Sequence, residues 1–170
     1  SFNVNSDKDG FHLLEELKVK GFVSRTTVLI FLSTETDKSL VNAIIELEPD
    51  DFWAKPLVPK LVQDRLLYTL KIKQQLFNIY YALDHREFSK AIYFADRHLE
   101  NPELHKYKAH ILRMKGDALL HLLEYSEAEL FYKQLLSTFN YGWVYIGYAK
   151  ALLKQGRLEE IQQMIASLVK

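Results

Sequence analysis

The 170-residue sequence contains no cysteine, only six glycines and four prolines, and as many acidic as basic residues. Without cysteine the chain has neither disulfides nor thiolate metal ligands, and this composition is typical of a reducing compartment. So few glycines leave little material for a glycine-rich phosphate-binding loop. A net charge of zero argues against a mainly electrostatic partner such as nucleic acid or an acidic membrane.

Long apolar runs are also missing. No stretch approaches the ~20 residues that a membrane-spanning helix needs, and the first residues do not form a charged leader followed by an apolar block. These features predict a soluble, cytoplasmic chain. Its length suits one ordinary domain or two small ones.

The most apolar run, residues 27–32, predicts a strand that is buried on both faces, as in parallel sheets. A second strand is predicted over Asp51–Ala54, and apolar residues recur at helical spacing between the two strands, over residues 40–47. This order predicts strand, crossover helix and second parallel strand. Upstream, Asp9 is expected to cap a first helix that ends at Gly21.

The carboxyl ends of the two predicted strands carry a hydroxyl at Ser33 and an ammonium at Lys55, where ligands of parallel sheets collect. Three motifs stand around them: Asp9-Gly10-Phe11, Leu32-Ser33-Thr34 and Phe52-Trp53-Ala54-Lys55-Pro56. Together they resemble the C-terminal half of a response-regulator receiver domain, which is flavodoxin-like. The resemblance covers Asp9 to about Leu70, and the predicted domain comprises residues 1–70.

The resemblance implies that Ser33 and Lys55 contact a phosphoryl group, that Phe52 moves with activation, and that the bond before Pro56 is cis. It places the phosphoacceptor near Phe2, where no carboxylate stands. The acceptor and the acidic metal-binding pair are therefore expected upstream of this chain. No cofactor is expected here, because Mg²⁺ is implied only for an intact receiver.

The second half of the sequence predicts helices only. Pro59 suits a helix start, and one long helix is predicted over about residues 58–84, joining the receiver-like part to residues 71–170. Three similar segments, 88–91, 125–128 and 158–161, are expected to begin helices after polar turns. Their spacing of 37 and 33 residues predicts stacked helix pairs. Ser126 and Glu129 form a capping-box pattern in the second segment.

This array resembles tetratricopeptide repeats (TPR), with Gly116, Ala128 and Tyr132 at the small, small and aromatic positions of the middle repeat. The neighbouring repeats depart from the pattern, with Ile79 where glycine is usual and Ile161 where alanine is usual. The predicted fold is therefore mostly α: a partial receiver-type α/β unit of two parallel strands with helices, followed by a TPR-like hairpin array. The residues predicted to pack the repeats are Ala91, Gly116, Ala128, Tyr132 and Gly147.

The six histidines show no zinc-helix spacing, and no catalytic triad, nucleotide fingerprint or pair of catalytic carboxylates can be placed. The sequence therefore predicts neither a metal site nor an enzyme. Residues 105–115 form a basic helix with aromatic residues, and a solvated face explains it better than RNA binding does.

The expected function is that of a fragment of a bacterial-type two-component (phosphorelay) signalling protein. In it, the receiver part controls a protein or peptide interaction in the groove of the repeats. A homodimer through the receiver half is expected as well, because an incomplete sheet exposes an edge and apolar side chains. Two alternatives remain open: a constitutive TPR scaffold with a structural receiver remnant, and an RNA-binding helical array.

Overall fold

The computed structural model describes residues 10–34 and 49–168, and within these ranges the chain is mostly helical with two short strands. This confirms the predicted fold class of a mostly α protein with a small α/β part. The first unit contains α1 Gly10–Val19, β1 Ile30–Ser33, β2 Asp51–Ala54, α2 Pro59–Gln75 and α3 Phe77–Asp84. The second contains α4 Phe88–Leu99, a 3₁₀ helix Pro102–Tyr107, α5 Lys108–His121, α6 Tyr125–Leu136, α7 Gly142–Lys154 and α8 Leu158–Leu168.

The chain divides into two compact units, Ser1–Asp84 and His85–Lys170. The first unit therefore includes both strands and ends with α3. Residue 70, after which the sequence was predicted to change domain, lies inside α2.

In the first unit, β1 and β2 pair in parallel, with Ile30 opposite Asp51 and Ser33 opposite Ala54. The strand predicted over residues 27–32 begins at Ile30, so its predicted start was wrong by three residues. The prediction that it is buried on both faces was also wrong, because Leu32 is 48% exposed. The described residues form a sheet of only two strands, which is too small to bury β1 on both faces. The predicted crossover helix over residues 40–47 lies outside the described residues.

The helix predicted over residues 58–84 is instead two helices that meet at Leu76. Proline occupies the first turn of α2, where its missing amide costs no hydrogen bond. Leu76 leaves the helical conformation, with φ −101° and ψ 10°, and its side chain is fully buried. Neither glycine nor proline marks this break in the sequence, so packing of Leu76 explains it better than local propensity does.

In the second unit, α4 packs against α5, α6 against α7, and α7 against α8, while α5 also contacts both α6 and α7. The described residues beyond position 70 contain no strand. The three entry segments predicted from the sequence open α4, α6 and α8, so the spacing of 37 and 33 residues locates three helix starts.

The turns before these three helices share one backbone geometry. The residue two positions before each helix has positive φ: Arg86 at 57°, Leu123 at 64° and Gly156 at 75°. The next residue is similar in the first two turns, with φ −86° and ψ 59° at Glu87 and φ −81° and ψ 63° at Glu124. Glycine adopts positive φ readily, whereas arginine and leucine do so at a cost. The turn is therefore a repeated feature that tolerates strain in two of its three copies.

Candidate functional site

The strand ends of the first unit bring Ser33 and Lys55 together. The amide of Lys55 donates to the carbonyl of Ser33 over 2.8 Å, which extends the parallel ladder by one bond beyond Ala54. The peptide bond between Lys55 and Pro56 is cis. Ser33 and Lys55 thus lie at adjacent carboxyl ends of the sheet, where parallel sheets bind ligands.

The side chains at these strand ends differ in exposure. Lys55 is exposed, Ser33 and Phe52 are half-buried, and Trp53 is 7% exposed. Neighbouring strand residues point to opposite faces, so Phe52 lies on the face opposite the buried indole. A hydroxyl and an ammonium at one edge of a sheet suit an anion. The acidic residues that the resemblance requires would lie outside the described residues, so the phosphoryl-sensing roles of these side chains stay predictions.

The opposite ends of the strands are held by an ion-pair network that the sequence did not predict. Arg65 of α2 donates through Nε to Asp51 Oδ2 over 2.9 Å, and its Nη2 donates to Asp51 Oδ1 and, over 3.1 Å, to the carbonyl of Phe52. Trp53 Nε1 donates to the same carboxylate over 2.6 Å. Burial tends to raise the pKa of Asp51, but the hydrogen bonds from Arg65, Trp53 and the Phe52 amide outweigh it and hold that pKa below its usual range.

A second polar cluster fixes the loop before β1 to α2 and α3. Lys73 Nζ pairs with Asp50 Oδ1 at 2.9 Å, donates to the carbonyl of Arg25 over 2.5 Å, and lies 4.3 Å from the ring centre of Tyr80. Asp84, the last residue of α3, accepts from the amides of Arg25 and Thr26 over 2.8 and 3.2 Å. We call this group the Lys73 cluster. It joins residues far apart in sequence, and no local motif predicts it.

In the second unit, the small and aromatic residues predicted to pack the repeats lie in the interior. Ala91 and Ala128 are fully buried, and Tyr132 is 1% exposed. A Cβ on Gly116 of α5 or on Gly147 of α7 would overlap the Tyr132 ring. The two glycines therefore make room for one side chain of α6 from both sides. Burial raises the pKa of Tyr132 well above its usual value.

The capping box predicted for Ser126 and Glu129 is wrong. The residue before α6 is Glu124, and its side chain makes no capping hydrogen bond. Glu129 instead accepts from Arg157 Nη1 over 2.5 Å and from Gln155 Nε2 over 3.0 Å, which ties α6 to the turn before α8. Arg157 also binds Glu160 and keeps the pKa of that carboxyl low. The capping box fails because Ser126 lies inside the first turn of α6 and not at its N-cap.

The described residues contain no group of three or more histidine, aspartate or glutamate side chains that could hold a metal ion. In the same residues, no helix combines the length and apolarity that crossing a membrane requires. In the basic segment from His105 to Lys115, Lys115 pairs with Asp96 at 2.6 Å. No family model matches the sequence, and neither a curated protein nor a solved structure matches it.

Proposed function

We propose that the chain is part of a signalling protein in which the helical array of residues 85–170 binds a protein or peptide segment and the strand-end group of the first unit controls that binding. The observation that carries the proposal is the adjacency of Ser33 and Lys55 at parallel strand ends, in the same chain as a helical-hairpin array. The proposed role is binding and not catalysis.

The array supports a protein partner because its exterior retains large apolar side chains. Ile146 and Leu153 are exposed and lie seven residues apart on α7, hence on one face of that helix. Exposed apolar side chains on a rigid helical scaffold serve as anchors for peptide or helix partners. The overall charge balance favours a protein over a nucleic acid.

The side chains at the carboxyl ends of the two strands, Ser33 and Lys55, support a control function for the first unit. Binding of an anion at Ser33 and Lys55 would favour one arrangement of the strand ends, and a partner that prefers that arrangement would then bind more tightly. We also propose a homodimer through the first unit, which leaves the array available to its partner.

A photo-crosslinking amino acid at Ile146 tests partner binding, with the same amino acid at Leu123, an exposed turn position, as the control. The proposal expects a crosslinked protein specific to position 146, identified by mass spectrometry and then titrated against the purified chain by calorimetry. Crosslinks equal at the two positions, or a purified partner that does not bind, would contradict it.

The control function is tested with Ser33→Ala and Lys55→Ala in the same titration, with Lys60→Ala as an exposed-lysine control. A change in partner affinity for the strand-end variants alone supports control by that group.

The Lys73 cluster favours the second candidate function, a constitutive scaffold, because it ties both α2 and α3 to the loop before β1. Unchanged affinity in all three variants would favour this scaffold.

A further inference from the structure

The exposed side of α2 has the features of a symmetric contact surface. Among its 17 residues only Thr69 is fully buried, although the helix contains seven large apolar side chains. Three of these are more than half exposed: Leu61 at 54%, Leu67 at 57% and Tyr68 at 52%. Exposing these apolar side chains to water is unfavourable, so the outer side of α2 is suited to contact with another protein surface.

The charges on this side are placed symmetrically about its centre. Asp64 and Lys71 are both exposed and lie seven residues apart, which puts them within about 20° of each other around the helix axis. At about 1.5 Å per residue, each lies about 5 Å from the midpoint between Leu67 and Tyr68. A two-fold axis through that midpoint, perpendicular to the helix, exchanges the two positions.

From this placement we infer that the outer side of α2 is a homodimer contact, in which two copies of α2 pack antiparallel and Asp64 of each copy pairs with Lys71 of the other. The inference rests on the proposed homodimer and names the surface that forms it. Leu67 and Tyr68 lie at the centre of this contact. A two-fold arrangement uses the same surface on both chains, so the surface must be complementary to itself, as this one is.

The surroundings of Asp64 suit a lysine from the second copy. Asp64 and Tyr68 line a cleft of about 350 Å³ together with Asp50 and Asp51 at the start of β2. Asp50 and Asp51 are already paired with Lys73 and Arg65, whereas Asp64 is exposed. An incoming ammonium would therefore meet the Asp64 carboxylate, which attracts it, in a cleft that Tyr68 also lines.

The partner is a second copy of α2. Along α2 an acidic residue, an apolar centre and a basic residue follow one another, and an antiparallel copy presents them in the opposite order. The chain carries 22 acidic and 22 basic residues, so two copies do not repel each other through net charge. Complementary charges at such a contact fix the register and exclude other alignments. In the parallel alignment, Asp64 would face Asp64 and Lys71 would face Lys71, which is repulsive.

Charge reversal with rescue tests the surface. Light scattering and sedimentation of the 170-residue chain should give a mass of two chains at high micromolar concentration, falling towards one chain on dilution. Asp64→Lys and Lys71→Glu should each raise the dimer dissociation constant at least about tenfold, because each places like charges together twice per dimer. The double variant, which restores opposite charges, should return it to within about threefold of the wild-type value.

Lys150→Glu on α7 is the matched control, since it reverses an exposed lysine of the second unit and should leave the dimer unchanged. Circular dichroism of each variant checks that its helix content is preserved. A wild-type chain that stays monomeric would overturn both the homodimer and this surface. A dimer that ignores the reversals at positions 64 and 71, or a double variant as weak as the single ones, would overturn the surface alone.

Discussion

The two units differ in the chemistry that holds their described residues together. In the first unit, the described residues up to Gln75 include only two buried side chains, Trp53 and Thr69, and ion pairs from Arg65 and Lys73 connect α2 to the strands. The other buried side chains among the described residues of this unit belong to Leu76 and α3. In the second unit, apolar side chains of α5, α6 and α7 form one core around Tyr132. The strands and α2 of the first unit are therefore held mainly by directional polar contacts, and the core of the second unit by shape.

This difference predicts how each unit responds to change. A close-packed core tolerates little added volume, whereas a partly exposed ion pair depends on charge and pH more than on shape. The chain carries a natural reporter for each unit, because its two tryptophans are Trp53 in the first and Trp143 in the second. Urea unfolding monitored in Trp53→Phe and Trp143→Phe backgrounds follows the units separately.

The largest expected effect is that of Gly147→Ala. The added methyl group would overlap the buried Tyr132 ring, so the substitution should destabilise the second unit by about 2 to 3 kcal/mol even though alanine favours helix formation. Urea unfolding followed through Trp143 measures this. Gly142→Ala, in the same helix with nothing within 4 Å of the added group, is the control and should not destabilise the unit. Equal stability of the two variants would refute packing by shape in the second unit.

Lys73→Met is expected to destabilise the first unit by about 2 kcal/mol. The substitution keeps the apolar stem but leaves Asp50, whose side chain is only 17% exposed, without its ion pair and removes the donor to the carbonyl of Arg25. Unfolding followed through Trp53 should report the loss. Lys60→Met, at an exposed position of the same helix, is the control and should change stability by less than about 0.5 kcal/mol. A neutral Lys73→Met would mean that apolar contacts hold the first unit as well.

Acid should destabilise the first unit partly through Asp51. The pKa of this carboxyl is lower in the folded than in the unfolded chain, so its contribution to stability is complete above about pH 4 and is lost as the pH falls through the folded pKa. Asp51→Asn should be less stable than the wild type at pH 6, and the difference should shrink towards pH 2. Trp53 fluorescence against urea at several pH values tests this, and a constant difference between the two proteins would exclude the mechanism.

Local patterns in the sequence predicted more of the second unit than of the first. Segments 88–91, 125–128 and 158–161 begin helices as predicted, and Tyr132 lies between Gly116 and Gly147, because periodicity and residue size act over one repeat. The first unit was harder to predict. The Lys73 cluster depends on contacts between residues about 20 to 60 positions apart. Such contacts leave no periodic signal in a single sequence.

The smallest expected effect concerns a turn that repeats three times. Leu123 has φ 64° and is 66% exposed, so its conformation is strained and its side chain contributes little burial. Gly156 occupies the corresponding position before α8, where the strain is absent. Leu123→Gly should therefore stabilise the second unit by about 0.5 to 1 kcal/mol, because relief of the left-handed strain exceeds the added entropy of glycine in the unfolded chain.

The reciprocal substitution, Gly156→Ala, should destabilise the second unit by about 1 kcal/mol, since it introduces a Cβ at φ 75°. Both values come from urea unfolding followed through Trp143. Leu122→Gly, one position earlier, is the control and should destabilise the unit, because Leu122 adopts ordinary right-handed φ and ψ of −73° and −5°. If Leu123→Gly proved as destabilising as the change at Leu122, contacts of the Leu123 side chain would outweigh the backbone strain. The turns would then stabilise the repeats by side-chain packing, as Tyr132 does.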